Sequence, residues 1–129
     1  MSFLNQRINR ATYWLFIALI MAFAFVISFF NAAGGGTWVV VAMAYIMRLH
    51  DLGRTGKWVL LVFAVQFAAG IAVIFADASL HQIGFGLVTL ASLAFTIWLG
   101  SIKGQPHANL YGQAPGPGIR MKANAKAPA

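Results

Sequence analysis

The 129-residue sequence contains no cysteine and only two acidic residues. The missing cysteine excludes a disulfide framework, a thiolate nucleophile and a thiolate metal site. Most acid–base mechanisms need a second suitably placed titratable group, which two acidic residues rarely supply. The three histidines have no repeated spacing of the kind that gathers zinc ligands. We therefore expect no enzymatic activity, no metal and no cofactor.

Charge is also missing from four long stretches of a chain that is 60% hydrophobic and 9% charged. This composition lies outside the soluble range. The stretches predict four transmembrane helices at about 13–30, 33–49, 58–76 and 82–101. The second is short, because its most apolar part, Trp38 to Met47, covers only about half of a bilayer at a rise of roughly 1.5 Å per residue. The expected fold class is an all-α polytopic membrane helical bundle.

The basic residues predict the topology, because four crossings would leave all of them on one side of the membrane. They are Arg7, Arg10, Arg48, Arg54, Lys57, Lys103, Arg120, Lys122 and Lys126. The positive-inside rule makes that side cytoplasmic, with both termini there. Residues 34–36, three glycines, would then form the outer turn between the first two spans.

Residues 1–104 are expected to form the membrane domain and 105–129 a cytoplasmic tail. Glycine and proline predict that this tail is largely disordered beyond residue 115. The net charge of +7 lies in short segments beside the apolar runs. This placement favours the lipid bilayer and anionic phospholipid as partners, and no nucleic acid is expected.

Small residues recur at every fourth position in the third and fourth spans. They are Ala64, Ala68, Ala72 and Ala76, and then Ser92, Thr96 and Gly100. Such spacing lets helices approach closely in lipid, either within one bundle or between copies in a homo-oligomer. Gln66, the one amide inside a span, is expected to form an interhelical hydrogen bond.

The segment between the second and third spans is the densest polar stretch of the chain. Gly53 is suited to end the second helix in a left-handed conformation, and Thr55 to cap the third. Free N–H groups at that helix start, together with Gly56, Arg54 and Lys57, would form a phosphate pocket. The alternative is a well-capped reverse turn with interfacial cations.

Asp51 is expected to shape this loop by pairing with a neighbouring arginine. Arg48 lies three residues earlier on the same helical face, and Arg54 is within reach around the turn. His50 is interpreted as an interfacial structural histidine, because adjacent helical residues point in different directions and no serine nucleophile accompanies it.

Three separated motifs are similar to those of the bacterial inner-membrane family filed as domain of unknown function 805. They are QRINRATYW at 6–14, MRLHDLGRTGKW at 47–58 and NLYGQAP at 109–115. Gln6, Met47 and Lys57 depart from the family pattern, which has glycine, arginine and tryptophan there. The resemblance implies a multi-pass protein of the bacterial inner membrane, and the family carries no established activity.

All three motifs fall on the cytoplasmic side of the predicted topology, so we expect them to assemble into one polar cap over the bundle. Its candidate residues are Arg7, Arg10, Arg48, His50, Asp51, Gly53, Arg54, Thr55, Gly56, Lys57, Asn109, Tyr111 and Gly112. Asp51 would fix the arginines, and the arginines would face the phosphate of an anionic lipid or a membrane-protein partner. The rival hypotheses are a small oligomeric transporter or pore and, less favoured, an enzyme acting on lipid headgroups.

Overall fold

A computed structural model describes residues 6–28 and 37–119. These residues contain no β-strand, and the prediction of an all-helical fold is confirmed for them. The helices are α1 (Arg10–Ser28), α2 (Thr37–Asp51), α3 (Lys57–Ile74) and α4 (His81–Ser101), with a 3₁₀ turn (Ala78–Leu80) leading into α4.

Three of the four helices are long and apolar enough to cross a membrane: α1, α3 and the stretch Ala78–Ser101. Helix α2 has 15 residues, which extend about 22 Å against a hydrocarbon layer of about 30 Å. A fourth span and the orientation therefore stay predictions. The predicted turn at 34–36 and the basic residues from Arg120 onward lie outside the described residues.

Asn9 explains why α1 begins at Arg10, three residues before the predicted start. Its Oδ1 accepts a hydrogen bond of 2.9 Å from the backbone N–H of Thr12. A short polar side chain at this position satisfies one of the donors left free at a helix start. The cap places Arg10 in the first turn of α1.

Gly53 ends α2 as predicted, with a φ of +71°. The N–H of Arg54 donates to the Leu49 carbonyl at 2.8 Å, and the N–H of Gly53 donates to the His50 carbonyl at 3.0 Å. This pair of bonds is the Schellman arrangement, in which a left-handed residue lets the chain reverse after a helix. The turn fixes the direction in which the chain leaves α2.

The prediction that Thr55 caps α3 is wrong. Gly56 occupies the N-cap position, so no side chain caps the start of α3. The Thr55 hydroxyl accepts only a long hydrogen bond of 3.4 Å from the N–H of Lys57. Glycine is needed at position 56 because the start of α3 lies close to α2. A Cβ on Gly56 would lie 2.8 Å from Cγ2 of Ile46.

The helices pack as two pairs, α1 on α2 and α3 on α4, with α2 and α4 in contact between the pairs. The buried core cluster gathers at one end of the bundle, around Tyr13, Tyr45 and Leu99. Thr96 joins three helices there, because its carbonyl accepts a 2.9 Å bond from the Tyr13 hydroxyl and its Oγ1 shares a hydrogen bond with the Tyr45 hydroxyl.

The two predicted small-residue rows have different roles. Gly100 of α4 lies against Trp14, and a Cβ there would be 2.3 Å from the indole ring. The first three alanines of the α3 row, at 64, 68 and 72, are exposed, so they do not serve close packing within the bundle. Gln66 makes no hydrogen bond with the described residues, and its predicted interhelical bond is absent there.

Candidate functional site

A buried ion cluster lies at the centre of the polar cap, which we define as residues 6–10, 48–57 and 101–118. Nε and Nη2 of Arg7 donate to Oδ1 of Asp51 at 3.2 and 3.1 Å. Nη1 of Arg48 donates to Oδ2 of the same carboxylate. The two arginine side chains are 0% exposed and that of Asp51 is 3% exposed. The predicted pairing of Asp51 is therefore with Arg48 and not with Arg54, and Arg7 joins it from the chain start.

Arg7 ties the first motif to the segment after α4. Its Nη1 donates to the carbonyls of His107 and Gly112 at 2.8 and 2.9 Å, and its Nη2 donates to the Gln105 carbonyl at 2.6 Å. A guanidinium carries five N–H donors, and these bonds with the two to Asp51 engage all of them. Arg7 thus has no donor left for an external ligand.

Arg48 serves the end of α4 in a similar way. Its Nε donates to the Leu99 carbonyl at 3.0 Å, its Nη2 donates to the Ile102 carbonyl, and its Nη1 reaches the Ile8 carbonyl at 3.2 Å. The last carbonyls of a helix lack partners within the helix and carry partial negative charge. The buried Arg48 guanidinium supplies hydrogen-bond donors to these carbonyls and a positive charge beside their partial negative charge.

Burial raises the pKa of the Asp51 carboxyl, and the guanidinium groups of Arg48 and Arg7 oppose that shift. The segment after α4 lies against Asp51, where the N–H of Gln105 donates to the backbone carbonyl of Asp51 at 2.9 Å. A Cβ on Gly104 would lie 1.8 Å from Oδ2 of Asp51. Gly104 is therefore required by the ion cluster, although the sequence prediction did not select it.

The third motif folds onto the second, as the polar-cap prediction requires. Nδ2 of Asn109 donates to the His50 carbonyl at 2.9 Å, and Oδ1 of Asn109 accepts from the N–H of Tyr111 at 2.9 Å. Gly112, at φ +123°, exchanges two backbone hydrogen bonds of 2.9 Å with Asn109. The Tyr111 ring stacks on buried His50 with 3.8 Å between centroids and 8° between planes.

The thirteen predicted cap residues therefore divide into two groups. The structure brings seven into contact around the ion cluster: Arg7, Arg48, His50, Asp51, Asn109, Tyr111 and Gly112. Six lie at the periphery of the cap: Arg10, Gly53, Arg54, Thr55, Gly56 and Lys57. Arg7 and Arg48 are buried and face inward, which contradicts the expectation that they face a phosphate or a partner, whereas Arg10 and Arg54 are exposed and for them that expectation stays a prediction.

Asn9 is a further cap residue that the sequence prediction did not select. Its Nδ2 donates to the carbonyls of Gly116 and Gly118 at 2.7 and 2.5 Å. The segment up to residue 118 is thus attached to the start of α1, whereas disorder was expected beyond residue 115. The one available indication was the position of Asn9 inside the first motif.

Two adjoining clefts open beside the ion cluster, and Asn9, Arg10 and Pro115 line both. The inner cleft has a volume of about 310 Å³ and reaches Arg48, Asp51 and Lys103. The outer one, of about 760 Å³, extends along Trp14, Gly100 and Ser101. We call the two together the α1–α4 cleft. In the part of the chain that the structure describes, no three His, Asp or Glu side chains gather to hold a metal.

No curated protein and no solved structure matches the chain. A family model described as "Protein of unknown function (DUF805)" matches residues 35–113. This range includes α2, the turn after it and the Asn109 to Gly112 turn, while Arg7 lies before it. Because the match covers more than half of the chain, the protein belongs to the DUF805 family, as its motifs predicted.

Proposed function

We propose that this membrane protein acts by binding and not by catalysis, with its polar cap engaging anionic phospholipid headgroups at the cytoplasmic face of a bacterial inner membrane. In this proposal α2 crosses the membrane as a short fourth span, and local thinning of the bilayer accommodates it. Both termini then lie on the cytoplasmic side, where anionic lipid is concentrated.

The observation that carries this proposal is that the polar cap has more cations than acidic groups to pair with them. Asp51 is engaged by two buried arginines. Four exposed cations remain at the same end, and none has an acidic partner among the described residues: Arg10, Arg54, Lys57 and Lys103. The other acidic residue, Asp77, lies at the opposite end, before the 3₁₀ turn. Each exposed cation gains about 1 kcal/mol near an anionic surface.

Two features of the cap support binding over catalysis. The Asp51 carboxylate accepts hydrogen bonds from both arginines at once, so it is held as a structural anion. His50 is buried against the Tyr111 ring. The pair that an enzyme would use is thus committed to holding the cap together.

Native mass spectrometry of the purified protein, offered equal amounts of phosphatidylglycerol and phosphatidylcholine, tests the proposal. We expect the protein to retain phosphatidylglycerol preferentially. The variant Arg10→Gln, Arg54→Gln, Lys57→Gln, Lys103→Gln should lose that preference. The variant Arg120→Gln, Lys122→Gln, Lys126→Gln removes charge outside the described cap and should keep it. An unselective parent protein, or a cap variant that stays selective, would contradict the proposal.

The exposed alanine row of α3 supports a second candidate function, a small oligomeric transporter or pore. Ala64, Ala68 and Ala72 are free of contacts that would bury them within the bundle, and small residues at this spacing suit contact between copies. Ala68→Leu should then lower the oligomer fraction in native mass spectra and abolish solute flux in liposomes. A protein that stays at the monomer mass of 13.9 kDa in mild detergent would contradict this candidate.

A further inference from the structure

We infer that the anionic phospholipid sits in the α1–α4 cleft, with its phosphate held by Arg10 and Lys103. This inference rests on the proposed function and narrows it to one site. It also differs from the phosphate pocket that the sequence predicts, which lies at the start of α3 and would use Arg54 and Lys57.

The cleft has the shape of a headgroup site, because one recess joins a charged inner part to an outer part lined by polar and apolar groups alike. Its inner part, about 310 Å³, has Lys103 at the rim and the Arg48–Asp51 pair as its floor. Its outer part runs past Arg10 along Trp14 and the end of α4. Hydrogen bonds from Asn9 hold the 116–118 segment at the outer wall. The glycerophosphate group of a phospholipid fits the inner part, while the acyl chains of the lipid leave along the outer part.

The charges that face the cleft sum to a positive value. The carboxylate of Asp51 is already matched by Arg7 and Arg48. Arg10 lines the inner cleft together with Arg48, and its one polar contact with the described residues is a long hydrogen bond of 3.5 Å to the Ser101 carbonyl. The Lys103 ammonium has no hydrogen bond or ion pair within the described residues. A phosphodiester brings the negative charge and acceptor oxygens that these two cations lack.

The depth of the cleft favours a lipid over a soluble phosphate compound. Arg10 is the first residue of α1, and Ser101 is the last residue of α4. Both belong to stretches that are long and apolar enough to span a membrane, so the cleft opens where the hydrocarbon layer ends. Trp14 lies one turn further along α1 and is 40% exposed. Tryptophan is enriched at this level, where its ring contacts both headgroups and acyl chains.

Two double variants, each of which removes two positive charges, distinguish lipid binding in the cleft from general electrostatic attraction of anionic lipid to the cap. Arg10→Gln with Lys103→Gln empties the cleft of its free cations, and Arg54→Gln with Lys57→Gln removes two exposed cations from the α2–α3 turn. Retained phosphatidylglycerol is measured by native mass spectrometry, with thermal unfolding of each variant as the folding control. Both variants lose the general attraction of two cations to an anionic surface, so we expect the cleft variant to lose about tenfold more of the retained phosphatidylglycerol than the turn variant.

A third variant fills the cleft without changing charge. Ser101 is exposed and lines the outer part, so Ser101→Phe should also lower the retained phosphatidylglycerol while the protein unfolds at the parent temperature. A further experiment measures whether inorganic phosphate or glycerol 3-phosphate at millimolar concentration displaces the bound phosphatidylglycerol. Neither should displace the lipid, since neither has acyl chains for the outer part of the cleft.

The outcomes distinguish this site from the proposed function. Equal losses in both double variants, or full retention in the cleft variant or in Ser101→Phe, would overturn the cleft and leave lipid binding by the cap intact. Displacement by either soluble phosphate would replace the lipid with a soluble ligand and overturn the inference. A parent protein without selectivity for phosphatidylglycerol would overturn the proposed function and this inference with it.

Discussion

The two ends of the bundle are stabilised in different ways. At the polar cap, charged groups are buried and nearly every donor of Arg7 and Arg48 has a defined acceptor. In the half of the bundle near the α3–α4 connection, large apolar side chains such as Phe67, Phe75 and Leu87 are 72%, 85% and 62% exposed. One end is packed like the interior of a soluble protein, and the other exposes large apolar side chains of the kind that face lipid.

The difference shows which end of the bundle determines how the helices are arranged. Lipid provides no hydrophobic drive for helices to associate, so helix contacts in the apolar half are weakly directed. The cap instead uses directional hydrogen bonds to connect α2, the end of α4, the chain start and the segment after α4. We therefore expect substitutions at the cap to have far larger effects on stability than matched substitutions elsewhere.

The largest expected effect is that of Asp51→Asn, which keeps the shape of the side chain and removes its charge. Arg7 and Arg48 would then be buried without a counter-charge, and breaking a buried ion pair in this way costs about 3–5 kcal/mol. The free energy of unfolding, measured by denaturant titration in mixed micelles, should fall by that amount.

Asp77→Asn is the matched control, because Asp77 is exposed and lies at the opposite end of the bundle. Substitutions at such positions change stability by less than about 0.5 kcal/mol. Similar losses for the two variants would contradict the description of the cap as the stabilising end.

A smaller effect, opposite in sign at two glycines, is expected from adding one methyl group to Gly104 of the cap or to Gly86 of α4. Gly104→Ala would place its Cβ 1.8 Å from Oδ2 of Asp51, and this carboxylate is held by two arginines and cannot move aside. Overpacking of this kind costs about 1–3 kcal/mol. Gly86 in α4 has no atom within 4 Å of an added Cβ, so Gly86→Ala should stabilise by up to about 1 kcal/mol through helix propensity.

The same unfolding titration checks both glycine variants. A stabilising effect of Gly104→Ala, or a loss on Gly86→Ala as large as that at Gly104, would contradict the packing described at these two glycines.

The sequence predicts the local features of the cap and not its long-range ones. Gly53 follows from the composition of a helix end, and the pairing of Asp51 with Arg48 follows from three-residue spacing on one helix. The contact of Arg7 with Asp51 joins residues 44 positions apart, and no local spacing encodes it. The motifs did indicate that distant segments meet, because the predicted topology put all three on one side.

The inward direction of Arg7 and Arg48 was the main feature that the sequence left undetermined. Their acceptors are mostly backbone carbonyls, at Gln105, His107 and Leu99 among others. Every residue has a carbonyl, so the identity of the side chains there gives no indication of an arginine site. The apolar helices, by contrast, follow directly from uncharged runs, and three of them are long and apolar enough to cross a membrane within a few residues of the predicted bounds.

The smallest expected effect tests how far directional hydrogen bonding extends along α4 beyond the polar cap. Thr96→Val removes the hydroxyl that bonds to Tyr45, while the carbonyl that accepts from Tyr13 remains. Interhelical hydrogen bonds in membranes contribute roughly 0.6 kcal/mol, so we expect a loss of that order. Thr89→Val is the control, because the Thr89 hydroxyl donates only to the Phe85 carbonyl of its own helix, and it should change stability by less than the error of the titration. If the two variants lose equal stability, the interhelical bond of Thr96 adds nothing, and the directional hydrogen bonding beyond the polar cap ends closer to Leu99.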